Sequence, residues 1–413
     1  MKPQVIAVML ASLFLLACSS QDTKSEALET TLEAGPAELT SFDEKVDVDV
    51  VWRLSLGKGS GAKNIRLRPA VSGDNVYMAD YNGQLVALEL ESGDEVWSES
   101  FDQKITSGVV VAENDLFIAT QDGILHSISK ESGELQWSQP LSSESIAPVV
   151  VDKTQVYIRT IDGHLTAFER SNGQQNWTYE AALPVLTVHG TGSPVLLQSL
   201  VITGFANGKL VALDKELGIP RWNKRLAIPQ GRSELERLVD LDGTPLVEEG
   251  IVYATAYHGK LSAIGFDGKT QWETELSSYF GPAMGLGNLY ITRDDDHVQA
   301  YDQVNGASVW SQSALQGRFL NQPVKHENFV VVADFEGYVH VLAQVDGELV
   351  GRLSVRPRPL HMTLPNQPEM NNWRPLRGKD FGIRSVMQST SQGLLAYTNA
   401  GELLLIQLEK EDN

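Results

Sequence analysis

A short glycine-centred unit recurs eight times along the 413-residue chain, and that recurrence leaves few folds open to it. Aligned on the turn, the first four copies read Asn82-Gly83-Gln84-Leu85-Val86-Ala87-Leu88, Asp122-Gly123-Ile124-Leu125-His126-Ser127-Ile128, Asp162-Gly163-His164-Leu165-Thr166-Ala167-Phe168 and Asn207-Gly208-Lys209-Leu210-Val211-Ala212-Leu213. Looser copies stand at His258-Gly259, Asp296-His297, Glu336-Gly337 and Ala400-Gly401. Six copies are followed by a second Gly with Trp four residues later: Gly93 and Trp97, Gly133 and Trp137, Gly173 and Trp177, Gly218 and Trp222, Gly268 and Trp272, Gly306 and Trp310. Short apolar runs at a period near 40 residues specify propeller blades and exclude a doubly wound α/β sheet.

The expected fold is all-β: an eight-bladed β-propeller with four-stranded antiparallel blades. In the second unit the strands fall at 109–111, 116–119, 124–128 and 135–137. Asn-Gly and Asp-Gly predict two-residue hairpins that need positive φ. A Trp at one fixed place in each blade is what packing between blades requires, whereas a binding platform needs no such regularity. The last unit ends at Glu402-Leu403-Leu404-Leu405-Ile406-Gln407-Leu408 with almost no chain left for a fourth strand. Residues 48–54 alternate like a strand and carry Trp52, so the N-terminal strand is expected to complete the C-terminal blade and remove the unpaired edges. The seventh unit breaks the pattern, with Gly347 and then Gly351 where Trp is expected.

Residues 1–17 read as a signal peptide: Lys2, then an apolar run too short for a comfortable membrane span. The run ends in Leu15-Leu16-Ala17-Cys18-Ser19, which resembles the lipobox of bacterial lipoproteins, and Cys18 is the only cysteine. The resemblance implies acylation of Cys18 and, with Ser19 following it, an anchor on the periplasmic side of the outer membrane. Residues 18–47 are then a lipidated, acidic tether and 48–410 the propeller. A formal charge of −20 leaves no basic face in the bulk composition for nucleic acid.

No catalytic constellation emerges. The chain has no Cys/His metal spacing, phosphate loop, Gly-x-Ser-x-Gly elbow or His-Glu-x-x-His, so no catalytic residue, metal or cofactor is assigned and the protein is read as a non-enzyme. His126 and His340 lie on third strands, where packing explains them. Asp294-Asp295-Asp296 reads as a hairpin turn, since no loop of oxygen ligands surrounds it. The Gly-x-x-x-Trp repeat also resembles quinoprotein alcohol dehydrogenases, which makes a periplasmic PQQ-dependent dehydrogenase the alternative. Those enzymes set a vicinal Cys pair against the quinone, and one Cys cannot form it.

Function in a propeller is sought where the repeat is violated. Spacing between hairpin glycines is 40 and 40, then 45 from Gly163 to Gly208 and 51 from Gly208 to Gly259. The insertions, 181–190 and 225–245, join outer strands to the next inner strands at consecutive junctions, so they should lie side by side. The first has the form Pro-x-Leu-x-(apolar)-x-Gly and the second Glu-x-x-Arg-Leu-x-Asp-x-Asp-x-Thr-Pro. In these loops and the lipobox the chain resembles the BamB family, lipoprotein scaffolds of the outer-membrane β-barrel assembly machinery. The resemblance implies that the loops bind the POTRA domains of BamA within the assembly complex and assist folding and insertion of outer-membrane barrels. It offers Leu186 and Val188 as apolar anchors and Asp240 and Asp242 as acidic partners, with His189 where the family has Arg, and Arg237 from the second motif. An imidazole is only partly protonated near neutral pH, unlike guanidinium. On the residues alone, Leu186 and Val188 could equally be a half-buried strand and 240–243 a turn, while exposed carboxylates would steer a basic partner. Direct contact with nascent barrel strands, by β-augmentation at a blade edge, is a further expectation.

A third excursion, 352–384, carries Arg352, Arg356, Arg358, Arg374, Arg377, Lys379 and Arg384 against Glu369 and Asp380. It is read either as a basic loop that touches anionic head groups or as a surface loop without a partner.

Overall fold

The computed structural model describes residues 35–410 apart from 58, 60–62, 64, 188, 189, 191 and 357–380. Signal peptide, Cys18 and most of the tether lie outside the described residues, as do Val188, His189 and the centre of the basic excursion. Among the described residues every regular element is a strand, and the strands form eight four-stranded antiparallel sheets. In blade 2 they are Val110–Ala112, Asp115–Ala119, Ile124–Ser129 and Leu135–Pro140 from axis to rim. The second and third strands of each blade are almost wholly buried, because successive sheets pack face to face and cover both sides of them.

The ring closes as expected. Val46–Ser55 pairs with Glu402–Lys410, so the last blade is assembled from both ends of the chain. The solvated segment is shorter than the sequence suggested. Ala37 and Lys45 donate backbone bonds to Gln316 and Val350, the Arg352 guanidinium donates to the Thr40 carbonyl, and Leu39 and Phe42 pack on a buried cluster beneath blade 7.

One correction concerns the hairpins. Asp80 N–H donates to Gln84 and Gly83 N–H donates to Asp80, and only the glycine is left-handed, with φ 102°. These are longer turns ending in one αL residue, not two-residue hairpins with two positive φ values. The drifted copies obey the same rule with other side chains: His258 and Asp296 take φ of 50° and 62°.

The Trp repeat is inter-blade packing. Trp137 lies over Gly173 of the following blade and its indole N–H donates to the Arg170 carbonyl at 2.9 Å. Trp52, Trp97, Trp177, Trp222, Trp272 and Trp310 do the same over Gly93, Gly133, Gly218, Gly268, Gly306 and Gly347. Each ring needs a glycine beneath it, since a Cβ would enter the indole. This explains the seventh unit. The eighth blade takes its outer strand from the N-terminus, so it has no third-to-fourth turn and no glycine platform for a Trp from blade 7. Gly351, at the Trp position, instead faces Val46 and Val48 of the closing strand.

Candidate partner-binding site

The first insertion leaves the outer strand Gln175–Glu180 and is pinned at its root: Ala181 N–H donates to Gly163, and Asn207 Nδ2 donates to the Ala182 carbonyl at 2.8 Å. Beyond this root the apolar side chains turn outward. Val185 is fully exposed and Leu186 45% exposed.

The second insertion leaves Pro220–Arg225 and forms one helical turn at its tip. Ser233 and Glu236 cap it reciprocally: Glu236 N–H donates to Ser233 Oγ at 3.2 Å, and the Glu236 carboxylate accepts from Ser233 N–H and, at 2.6 Å, from Arg232 N–H. These backbone bonds hold the Glu236 carboxyl below its ordinary value. The turn presents Leu235 at 71% exposure and Arg237 beside Glu234, with Ile228 exposed on the approach. A groove of about 510 Å³ runs between this loop and blades 5 and 6, walled by Ile228, Glu236, Val239, His258 and Glu275.

The segment that follows is extended and covered on both sides. Val239 and Leu241 enter the core between blades 4 and 5, and Gly204 lies so close under Leu241 that a side chain there would collide. Alternate residues therefore face the other way, and that side is covered too. Asp240 is buried and its carbonyl accepts from Tyr257 N–H at 2.8 Å. Asp242 is 6% exposed, with Arg159 Nη2 at 3.7 Å from its Oδ1 and the Arg66 charge nearby. The reading of Asp240 and Asp242 as exposed carboxylates that steer a basic partner is thereby corrected, and so is the alternative of a simple turn. Asp240 is covered completely, and Asp242 borders only the cavity at the propeller axis, so neither carboxylate is presented on the outer surface of the loops.

Asp242 does join the loops. Its carboxylate occupies the space a Cβ at Gly190 would need, its carbonyl faces Gly192, and Ser193 N–H donates to Thr244 Oγ1 at 3.0 Å. The two insertions lie side by side and are interlocked through these contacts. Leu186, Arg237, Asp240 and Asp242 thus belong to one loop pair. The sequence reading passed over Val185, Ile228 and Leu235, apolar residues within the same insertions, and over Arg159, whose role depends on a partner distant in sequence.

The described ends of the basic excursion are not a free basic loop. Arg352 donates to His340 Nδ1 and Arg356 to the Glu336 carbonyl, while Arg384 donates to the Lys63 carbonyl. His340 is fully buried with Nε2 at 3.2 Å from Asp334, and His126 is held between Ser138 and Gln103. Asp296 accepts from the backbone N–H groups of Phe319 and Leu320, and burial raises its carboxyl to about 6.

Fold and loop pair together define the class: an eight-bladed β-propeller of the Gly-x-x-x-Trp type with two contacting loop insertions at consecutive blade junctions. The sequence model of the family described as outer membrane protein assembly factor BamB matches residues 35–107, 88–312 and 267–406. The chain is 48% identical over 360 residues to the outer membrane protein assembly factor BamB of Pseudomonas aeruginosa, covering 86% of this chain and 93% of that one. It is 41% identical over 400 residues to the BamB of Marinobacter adhaerens, covering 96% and 94%. The crystal structure of BamB from Moraxella catarrhalis superposes with TM-score 0.76 at 24% identity, over 87% of this chain and all of that one. Quinohemoprotein alcohol dehydrogenase from Comamonas testosteroni shares the fold, with TM-score 0.65 at 10% identity over 89% of this chain and 78% of that one. The chain belongs to the BamB family of outer membrane protein assembly factors.

Proposed function

We propose that this chain is a non-enzymatic scaffold of the outer-membrane assembly complex, anchored through an acylated Cys18 on the periplasmic side, and that its loop pair binds the POTRA domains of BamA. The observation that carries the reading is the interlock of the two insertions. It turns loops that could move separately into one preorganised platform, which reduces the ordering cost of binding. Leu186 and Val188, with Val185 and Leu235, are the apolar contacts of this site, and His189 and Arg237 belong to its polar rim. Asp240 and Asp242 act beneath the surface as positioning residues. Assistance to folding and insertion of barrel proteins then follows from holding the POTRA domains in a fixed orientation.

Co-purification from detergent-solubilised envelopes tests this. Wild type should retain BamA, and Leu186→Ala combined with Leu235→Ala should lose most of it while remaining folded. Retention of BamA by that folded variant at the wild-type level would contradict the site, and its absence from wild-type preparations would contradict the partner.

A further inference from the structure

The innermost strands surround a lumen, and a cavity of about 130 Å³ lies in it, bounded by residues that lead into seven of the eight blades. Residues 65–69 alternate: Ile65 and Leu67 are buried in the core, so Arg66 and Arg68 both turn to the cavity. The Arg66 guanidinium lies 4.7 Å over the Phe280 ring, and Arg384 is close enough to repel it. Arg68 lies with its stem over Gly108, and among the described residues no hydrogen bond or ion pair engages its guanidinium. Opposite stands Ser193, 5% exposed, whose Oγ is buried without a hydrogen-bond partner. Among the described residues the only carboxylate in the cavity wall, Asp242, is already set against Arg159 and Arg66. Near the axis of a chain of net charge −20 there is accordingly an excess of guanidinium.

We propose that this cavity is a binding site for a small multivalent oxyanion, a phosphate or a compact di- or tricarboxylate. The Arg68 fork offers the paired N–H donors that recognise carboxylate and phosphate oxygens, and Arg66, two residues along the same extended segment, adds a second positive charge to the cavity wall. The Ser193 hydroxyl supplies a neutral donor. Burial lowers both Arg66 and Arg68 from the ordinary guanidinium value, and an anion between them would offset that cost. The volume admits a small solute and excludes a polypeptide segment.

The test is calorimetric titration of the full-length chain in detergent, in chloride buffer at constant ionic strength, with pyrophosphate and separately with citrate as probes. One anion per chain should bind and raise the melting temperature. Arg68→Gln should weaken binding about tenfold or more, as loss of charge-assisted bonds requires, while leaving BamA capture unchanged. Arg68→Lys keeps the charge without the fork and serves if Arg68→Gln does not fold; it too should bind more weakly. Absence of binding by both probes at millimolar concentration would overturn the proposal, as would binding that neither variant weakens. BamA capture is read on the same preparations, so failure of this inference and failure of the scaffold reading are distinguishable.

Discussion

Asp242→Ala should unfasten the two insertions from beneath while deleting no surface contact. In the wild type its carboxylate lies 3.7 Å from Arg159, and both side chains are at least nine-tenths buried. At an effective dielectric constant of about 20 that separation corresponds to a gross attraction of about 4–5 kcal/mol. Removing one member of a buried pair strands the other charge and costs about 3–5 kcal/mol. The adjoining cavity moderates this loss while Arg66, a second cation set against Asp242, adds to it, so a loss of about 3–5 kcal/mol is expected. Urea denaturation should show this as a lower midpoint at unchanged slope, and BamA capture should fall together with it. Asp242→Asn, which keeps the shape under Gly190 without the charge, should cost nearly as much stability while retaining more capture. Pairing Asp242→Asn with Arg159→Met should recover part of the stability, because the Arg159 charge is no longer left without its carboxylate. The reasoning is refuted if Asp242→Ala unfolds at the wild-type urea concentration yet loses BamA, since Asp242 would then act by touching the partner.

Other outcomes follow from the same structure. Gly173→Ala combines a left-handed residue, φ 73°, with a Cβ 2.7 Å from Trp137 Cε3, and should cost about 2–4 kcal/mol in urea denaturation. Gly250→Ala shares the positive φ but meets nothing within 4 Å, so it should cost only about 1–2 kcal/mol; equal losses would remove the indole contact from the account. Burial lowers His126, His326 and His340, so the unfolded chain takes up protons that the folded chain refuses. Their contribution to stability is complete above about pH 6.5 and declines as the pH falls below it, and thermal melts at pH 7.5 and 5.5 should differ by several degrees. Asp296, raised to about 6, works in the opposite sense below that pH, so Asp296→Asn should steepen the decline.

The propeller was legible because its signals are local and repeated. A glycine that must be left-handed and a Trp that must cover the next glycine recur in register, and Trp52 announced the closure of the ring. Two-residue hairpins were expected because Asn-Gly and Asp-Gly are shared by both turn types, and the strands, not the dipeptide, decide the length. The insertions were legible as departures from the period, whereas the outward position of Leu186 was not, because its alternation with Val188 fits a half-buried strand as well. What Asp242 does was not legible. Its partner Arg159 lies two blades earlier and its neighbour Gly190 on another loop, and no spacing within 225–245 encodes either. The docking of residues 37–45 on blade 7 was hidden by composition, since acidic residues there outweigh Leu39 and Phe42, which carry the contact.

The most direct measurement is the affinity of the purified full-length chain for the POTRA domains of BamA, compared between wild type and Leu186→Ala/Leu235→Ala. Both side chains are exposed, so the variant should melt like wild type while binding at least about tenfold more weakly. Unchanged affinity in a variant that melts like wild type would mean that the interlocked loops are not the docking platform.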